Sequence, residues 1–104
     1  MGPLNRARRA LGQQPSTTSA ADEDESLVTK AIRGSRPAFR ALYDRHRPMV
    51  FRLVRGFADL DGDEADDVVQ ESFVRAFHNL AGLKERARFG PWLLTIARNR
   101  CFSR

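Results

Sequence analysis

The chain has 104 residues, a net charge of +5 and a single cysteine, Cys101. This length suits one small domain, and one cysteine excludes both an internal disulfide and a metal site built from several cysteines. No stretch approaches the roughly 18 uninterrupted apolar residues of a membrane span, and the basic N-terminus lacks the apolar run of a secretory signal. The composition predicts a cytoplasmic protein without membrane insertion. Its charge favours an anionic partner, with nucleic acid as the first candidate and an acidic membrane surface as the second.

Residues 1–25 differ in composition from the rest of the chain. They contain Pro3, Gly12, Pro15 and the polar run QQPSTTSAADEDE, with almost no large apolar residue. Such a segment buries too little apolar surface to offset the entropy lost on ordering. We therefore predict a disordered tail over residues 1–25 and a folded domain over residues 26–104.

The first two helical patterns lie between residues 27 and 57. The first is short, and Gly34 is expected to end it. The second begins at Ser35, and Pro48 inside it is expected to kink it or break it locally. The apolar stripes at helical spacing are Leu27, Val28, Ala31 and Ile32 in the first helix, and Phe39, Leu42, Tyr43, His46, Val50, Leu53, Val54 and Phe57 in the second.

Two further helical patterns complete the chain. The third follows the turn DLDGD, with Asp63 as its predicted N-cap and Gly82 as its predicted end. The fourth begins near Gly90 and Pro91. Their inner faces are formed by Ala65, Val68, Val69, Phe73, Ala76, Phe77 and Leu80 in the third helix, and by Phe89, Trp92, Leu93, Ile96 and Ala97 in the fourth. No strand alternation is convincing, so the predicted fold class is all-α, a compact bundle of three to four helices.

Charge is strongly sorted along these helices. Residues 59–71 contain seven acids and no base, whereas residues 30–55 contain eight lysines and arginines and one acid. Residues 84–104 contain six lysines and arginines and one acid. Unmixed charge of this kind indicates two surfaces for two kinds of partner.

The acidic stretch DLDGDEADDVVQ is similar in spacing to a calcium-binding loop. Asp59, Asp61 and Asp63 alternate as the loop requires, but Glu64 occupies the position of the essential glycine. Gln70 stands where a bidentate glutamate is needed. The stretch therefore fails as a calcium site.

A metal-dependent or hydrolytic enzyme using Asp66 and Asp67 is a second alternative. Catalysis by paired carboxylates needs a shielded cleft and a substrate-binding frame. The sequence has no glycine-rich phosphate loop, and His46 and His78 lie on different helices without metal-ligand spacing. We therefore predict a protein that is not an enzyme and has no metal and no cofactor.

The third helix has an outward face that suits binding. Asp67, Gln70, Glu71, Val74, Arg75 and His78 share this face at steps of three and four residues. Spacing alone favours an ordinary solvated surface. An acidic, hydrogen-bonding strip with one apolar residue also suits docking against a basic helical partner.

The fourth helix and the loop before it combine side chains that suit nucleic acid. The loop, residues 81–88, is basic, and one helix face carries Pro91, Thr95, Arg98, Asn99 and Phe102. Such side chains contact phosphates, read base edges and stack on unpaired bases. In the alternative, Phe102 belongs to the core and the arginines only solubilise the surface, whereas Trp92 is expected in the core in either case. Arg36, Arg40, Arg47 and Arg55 of the second helix are candidates for non-specific phosphate contacts.

Three segments in order resemble region 2 of bacterial sigma factors of the extracytoplasmic-function (ECF) class of the sigma-70 family. They read FRALYDRHRPMVFRLV, DEADDVVQESFVRAFHNL and FGPWLLTIARN. The resemblance covers about residues 26–104. It implies a domain that docks on the clamp coiled coil of the β′ subunit of RNA polymerase and recognises and melts the minus-ten promoter element.

The resemblance also implies roles for individual residues. It assigns polymerase docking to Asp67, Gln70 and Glu71, and we extend this to Val74 and Arg75 on the same face. The loop, residues 80–88, would capture a flipped base of the non-template strand. The predicted DNA-binding residues are Lys84, Arg86, Arg88, Thr95, Arg98, Asn99 and Phe102. An anti-sigma factor is expected as a further partner, and a helical protein-interaction module without a DNA role remains the alternative function.

Overall fold

A computed structural model describes residues 19–57 and 59–103. These residues form four α-helices and contain no strand. The helices are α1 (Ala20–Ile32), α2 (Arg36–Phe57), α3 (Gly62–His78) and α4 (Phe89–Phe102), and two short 3-10 helices, Leu80–Gly82 and Arg86–Arg88, join α3 to α4. The predicted all-α bundle is confirmed. Residues 1–18 of the predicted tail lie outside the described residues.

Helix α1 begins earlier than the sequence predicts. Ser19 is its N-cap, and the Ser19 hydroxyl accepts a hydrogen bond from the Asp22 amide at 3.1 Å. Asp22 and Glu23 occupy the first turn, where the helix dipole favours negative charge. The predicted tail boundary at residue 25 is therefore wrong, because a capped and charge-stabilised turn can be helical without apolar residues.

The connection from α1 to α2 follows the prediction, and α2 is one continuous helix. Gly34 adopts a φ of 100° after α1, a left-handed conformation that glycine tolerates best. Ser35 then accepts a hydrogen bond from the Ala38 amide at 3.2 Å. Helix α2 continues through Pro48 to Phe57, so the predicted local break does not occur. Buried residues before and after the proline hold both halves of α2 against the same core.

Helix α3 is capped by Asp61 and not by the predicted Asp63. Asp61 accepts from the Glu64 amide at 2.8 Å, and the Glu64 carboxylate accepts from the Asp61 amide at 3.1 Å. This reciprocal capping box satisfies two amides that would otherwise lack partners. The helix ends at His78, before the predicted Gly82, where the Asn79 side chain donates to the Arg75 carbonyl at 2.8 Å.

The core lies where the four helices meet. Its largest fully buried apolar side chains come from every helix: Val28, Leu42, Val50, Val54, Val68, Val69, Phe89 and Leu93. Leu80 and Leu83 are buried as well and tie the segment between α3 and α4 to the bundle. Trp92 is only partly buried and packs against this core. The outward faces of α3 and α4 are therefore displayed on a rigid support.

A buried polar cluster joins α1 to α2. Asp24 and His46 are both buried, and the Asp24 Oδ2 atom lies 2.8 Å from the His46 Nε2 atom. Arg45 donates from Nε to the Asp24 Oδ1 atom at 3.0 Å and from Nη1 to Glu23 at 2.6 Å. Burial lowers the pKa of Arg45, but its hydrogen bonds to the two carboxylates outweigh this effect and raise the pKa above its ordinary value. His46 thus lies on the apolar stripe as predicted, with an ionic partner on α1.

The ring of His46 also sets how closely α4 can approach α2. A Cβ atom on Gly90 would lie 3.3 Å from the His46 Cε1 atom, and the ring packs edge-on against Phe89 at a centroid distance of 5.2 Å. Because Asp24 holds this ring, it cannot move aside freely. We expect Gly90→Ala to lower the free energy of unfolding by about 1 kcal/mol, although alanine favours helix.

Urea denaturation of the full chain checks this expectation. Gly56→Ala is the matched control, since Gly56 lies in α2 and a Cβ atom there would have no atom of another described residue within 4 Å. We expect the control to gain up to about 1 kcal/mol from helix propensity alone. A Gly90→Ala variant that gains as much stability as the Gly56→Ala control would show that the contact with His46 does not limit helix packing.

Candidate functional site

The outward face of α3 forms an open groove. It is lined by all six residues that helical spacing placed on this face, together with Asn79 and with Arg100 from α4: Asp67, Gln70, Glu71, Val74, Arg75, His78, Asn79 and Arg100. Val74 is 55% exposed and is the apolar member of this face. The prediction that these six residues share one face is therefore confirmed. We call this surface the α3 groove.

The α3 groove has charges of both signs. Asp67 and Glu71 supply its acids, and Arg75 and Arg100 supply its cations. Arg100 donates from Nε to the Glu71 Oε1 atom at 2.8 Å. This hydrogen bond to Glu71 raises the pKa of the Arg100 guanidinium above its ordinary value. The groove thus presents a carboxylate whose position is fixed from α4, a feature that the sequence analysis missed because α4 is distant in the chain.

The adjacent carboxylates Asp66 and Asp67 have different surroundings. Asp66 accepts from the Arg47 Nη2 atom of α2 at 2.8 Å, and Arg47 also donates from Nε to the Tyr43 hydroxyl at 3.2 Å. Asp67 lines the α3 groove on another side of the helix. The two acids therefore do not converge on a common site. Across residues 19–57 and 59–103, no group of three or more histidine, cysteine, aspartate and glutamate side chains is arranged to hold a metal ion.

A pocket lies beside the start of α4, and we call it the α4 pocket. Its lining combines the basic loop with the first turns of the helix: Gly82, Leu83, Lys84, Glu85, Arg88, Pro91, Trp92 and Thr95. Three predicted DNA-binding residues, Lys84, Arg88 and Thr95, are brought together here. Trp92 was expected only in the core, but part of its ring forms a wall of the pocket. Glu85 also lines the pocket, and its Oε1 atom lies 4.0 Å from the Arg88 Nε atom, so the two cations outnumber one carboxylate. An indole wall beside a net positive charge suits a planar, negatively charged ligand.

Arg86 differs from its neighbours in the loop. It donates from Nη1 to the Thr29 hydroxyl of α1 at 3.0 Å, and it does not line the α4 pocket. Arg86 is predicted to bind DNA together with Lys84 and Arg88, but it is not part of the pocket that those two residues line. Its guanidinium instead ties the loop to α1.

The remaining predicted DNA-binding residues follow the outer face of α4. Arg98, Asn99 and Phe102 are exposed. Phe102 is 68% exposed and packs edge-on against Phe57 at a centroid distance of 4.8 Å. The alternative in which Phe102 belongs to the core is wrong. The exposed arginine, amide and aromatic ring continue the surface of the α4 pocket along the helix.

The α2 arginines are only partly available for other contacts. Arg47 pairs with Asp66 and also lies over the Phe51 ring at 5.5 Å. Arg40 pairs with Asp44 at 3.2 Å on the surface, where such a pair contributes little and exchanges easily. Arg36 is exposed. Arg36 and Arg40 are therefore more accessible for the predicted phosphate contacts than Arg47 is.

Comparison with known proteins gives the family of this fold. Residues 42–104 match the family model described as sigma-70 region 2. The chain belongs to this family, as a region 2 domain of the ECF class. No solved structure matches the chain significantly.

Three relatives illustrate the similarity. The RNA polymerase sigma factor NccH of Alcaligenes xylosoxydans xylosoxydans is 35% identical over 77 residues, which cover 74% of this chain and 41% of that protein. The RNA polymerase sigma-H factor of Pseudomonas aeruginosa is 33% identical over 78 residues, 75% of this chain and 40% of that protein. The ECF RNA polymerase sigma factor BldN of Streptomyces coelicolor is 37% identical over 86 residues, 77% of this chain and 32% of that protein. The chain thus spans about two fifths or less of the curated relatives it matches.

None of the described helices is long and apolar enough to cross a bilayer.

Proposed function

We propose that this chain is the promoter-recognition domain of a sigma factor and acts in transcription initiation. It binds core RNA polymerase through the α3 groove and single-stranded promoter DNA through the α4 pocket and the outer face of α4. The observation that carries this proposal is the pair of exposed surfaces with different chemistry, held on adjacent helices of one bundle, in a member of the sigma-70 region 2 family. This role requires binding without catalysis, in the cytoplasm.

The α3 groove suits the proposed clamp coiled coil of the β′ subunit. Gln70 offers an amide, Glu71 a fixed carboxylate and Val74 an exposed apolar contact. A coiled-coil helix with a basic residue beside an apolar one would match all three groups. Charge complementarity of this kind sets partner choice and association rate, while the central apolar contact excludes water. An anti-sigma factor that competes for this groove is the expected inhibitor.

The α4 pocket suits a base taken out of the stack of the minus-ten element. Lys84 and Arg88 are placed for the flanking phosphates of the non-template strand, and the exposed part of Trp92 offers a stacking surface. Extracting a base costs a few kcal/mol, which stacking and polymerase contacts can offset. Arg98 and Asn99 are then placed to read neighbouring base edges, and Phe102 to stack on an unpaired base. In this proposal Arg86 acts indirectly, by fixing the loop on α1.

The DNA-binding part of the proposal predicts the effect of Asn99→Ala. An amide that bonds a base edge in two places contributes roughly 1–3 kcal/mol of discrimination, so we expect about tenfold weaker binding. The measurement is fluorescence anisotropy at 150 mM salt with the polymerase-bound chain. The probe is single-stranded DNA selected from a random pool by the wild-type complex.

A scrambled version of the same oligonucleotide is the control for this experiment. Asn99→Ala should leave its weak, salt-dependent binding unchanged, because phosphate contacts carry no sequence information. Equal loss on both oligonucleotides would remove Asn99 from base recognition. Failure of the wild-type complex to select or bind any single strand at low salt would favour the protein-interaction module without a DNA role.

A further inference from the structure

We propose that Arg100 of α4 is a positioning residue for polymerase docking, because it holds the Glu71 carboxylate of α3 in the orientation that the partner binds. The proposal rests on the proposed function of the α3 groove. It makes that groove a composite of two helices, with the carboxylate on α3 and its support on α4.

The geometry shows a guanidinium fixed at two points. Arg100 donates from Nε to the Glu71 Oε1 atom at 2.8 Å and from Nη1 to the Ser103 hydroxyl at 3.2 Å. The Ser103 hydroxyl in turn donates to the Arg100 backbone carbonyl at 3.2 Å. A planar fork anchored in this way presents its donor in a defined direction, which an ammonium on a flexible stem does not do.

Relative exposure indicates which partner faces the docking side. The Arg100 side chain is 27% exposed and the Glu71 side chain is 49% exposed. Arg100 is therefore the more covered member of the pair and supports Glu71 at the α4 wall of the groove. Glu71 remains the more accessible group for an incoming cation or amide.

Preorganisation is the physical benefit of this arrangement. A glutamate on a helix surface has several rotamers, and ordering it on binding costs entropy. A glutamate that is already held in place loses less entropy when the partner binds. The exposed pair is weak by itself, so the expected effect on affinity is modest but measurable.

Arg52 of α2 is the matched control. It is exposed, and it lines neither the α3 groove nor the α4 pocket. Replacing either arginine with glutamine removes one positive charge from the surface of a helix. A difference between the two variants therefore reports on position and not on net charge.

The experiment measures the affinity of the full chain for core RNA polymerase without DNA. The variants are Arg100→Gln, Arg100→Lys, Arg52→Gln, Glu71→Gln and the double variant Arg100→Gln with Glu71→Gln. We expect Arg100→Gln to weaken binding about threefold, Arg100→Lys to recover part of the loss, and Arg52→Gln to have no effect. In the Glu71→Gln background, Arg100→Gln should cause no further loss, because its effect passes through Glu71.

The outcomes separate this proposal from the docking assignment. If Glu71→Gln weakens binding and Arg100→Gln does not, the positioning role is overturned while docking stands. If Arg100→Gln tightens binding, Arg100 covers Glu71, and the positioning role is again overturned. If the losses from Arg100→Gln and Glu71→Gln add in the double variant, Arg100 contacts the polymerase directly, and the positioning role is overturned. If Glu71→Gln has no effect at all, the docking assignment of the α3 groove has failed.

Discussion

Replacing Gln70 and Glu71 together with alanine should remove most of the affinity for core RNA polymerase. We expect the Kd to rise roughly 30-fold, which corresponds to about 2 kcal/mol, the scale of a hot spot in a protein interface. Both side chains line the α3 groove beside the exposed Val74. Their loss removes the amide and the fixed carboxylate and leaves Arg100 without its partner. A pull-down with purified core polymerase, followed by titration, measures the effect.

A control variant separates the contribution of the α3 groove from that of the overall negative charge around it. Asp59→Ala with Asp63→Ala removes two carboxylates from the same acidic stretch, but neither residue lines the α3 groove. We expect this variant to bind polymerase nearly as well as the wild type. Undiminished binding by the Gln70 and Glu71 variant, or equal losses in both variants, would show that α3 does not dock through the groove.

The largest effect on folding should come from Asp24→Ala. Asp24 is buried and accepts hydrogen bonds from Arg45 and His46, so its removal leaves the His46 Nε2 atom without its partner. The His46 Nδ1 atom is also buried, and no described residue forms a hydrogen bond with it. Breaking a buried pair on one side is more costly than losing the pair's own attraction. We expect a loss of about 3 kcal/mol, and a fall in Tm of roughly 10–20 °C.

Thermal and urea unfolding of two companion variants test the cause of this loss. Asp22→Ala removes an exposed acid from the same first turn and should cost less than about 1 kcal/mol. Asp24→Asn keeps one acceptor oxygen and should fall between the wild type and alanine. An Asp24→Ala variant within about 1 kcal/mol of the wild type would mean that the α1–α2 pair contributes little to stability.

Helical periodicity predicted most of the core, and it also held a signal for the buried pair. Asp24 precedes Val28 and Ala31 at helical spacing, and His46 lies between Leu42 and Val50 on its own stripe. Both positions could therefore be expected to be buried. The contact between Asp24 and His46 could not be predicted, because it depends on how α1 crosses α2. No local sequence pattern encodes that crossing.

The N-cap of α3 shows a prediction that failed for a different reason. Asp61 and Asp63 both precede α3, and either type of residue is a good N-cap. The sequence contained the deciding signal, since Glu64 lies three residues after Asp61 and completes a capping box. The prediction of Asp63 was therefore an error of interpretation and not a limit of the sequence.

The candidate site was also only partly predictable from the sequence. Spacing on α3 correctly grouped Asp67, Gln70, Glu71 and Val74 on one face. It gave no sign that Arg100 would support Glu71 or that Arg86 would turn towards Thr29. Each of those contacts joins side chains from different helices, so it follows from tertiary packing alone. The resemblance to sigma region 2, and not the spacing, gave the acidic face a predicted role.

The position of α1 determines which residues a stable fragment of this protein must contain. The matched family segment begins at residue 42, yet α1 lies before it and contributes the fully buried Val28 and the Thr29 hydroxyl that holds Arg86. Helix α1 also packs against the Arg86–Arg88 turn beside the α4 pocket. A fragment trimmed to the recognisable segment would uncover the apolar underside of the bundle and release the DNA-side loop from its anchor. The folded domain therefore includes α1, and the family segment by itself underestimates it.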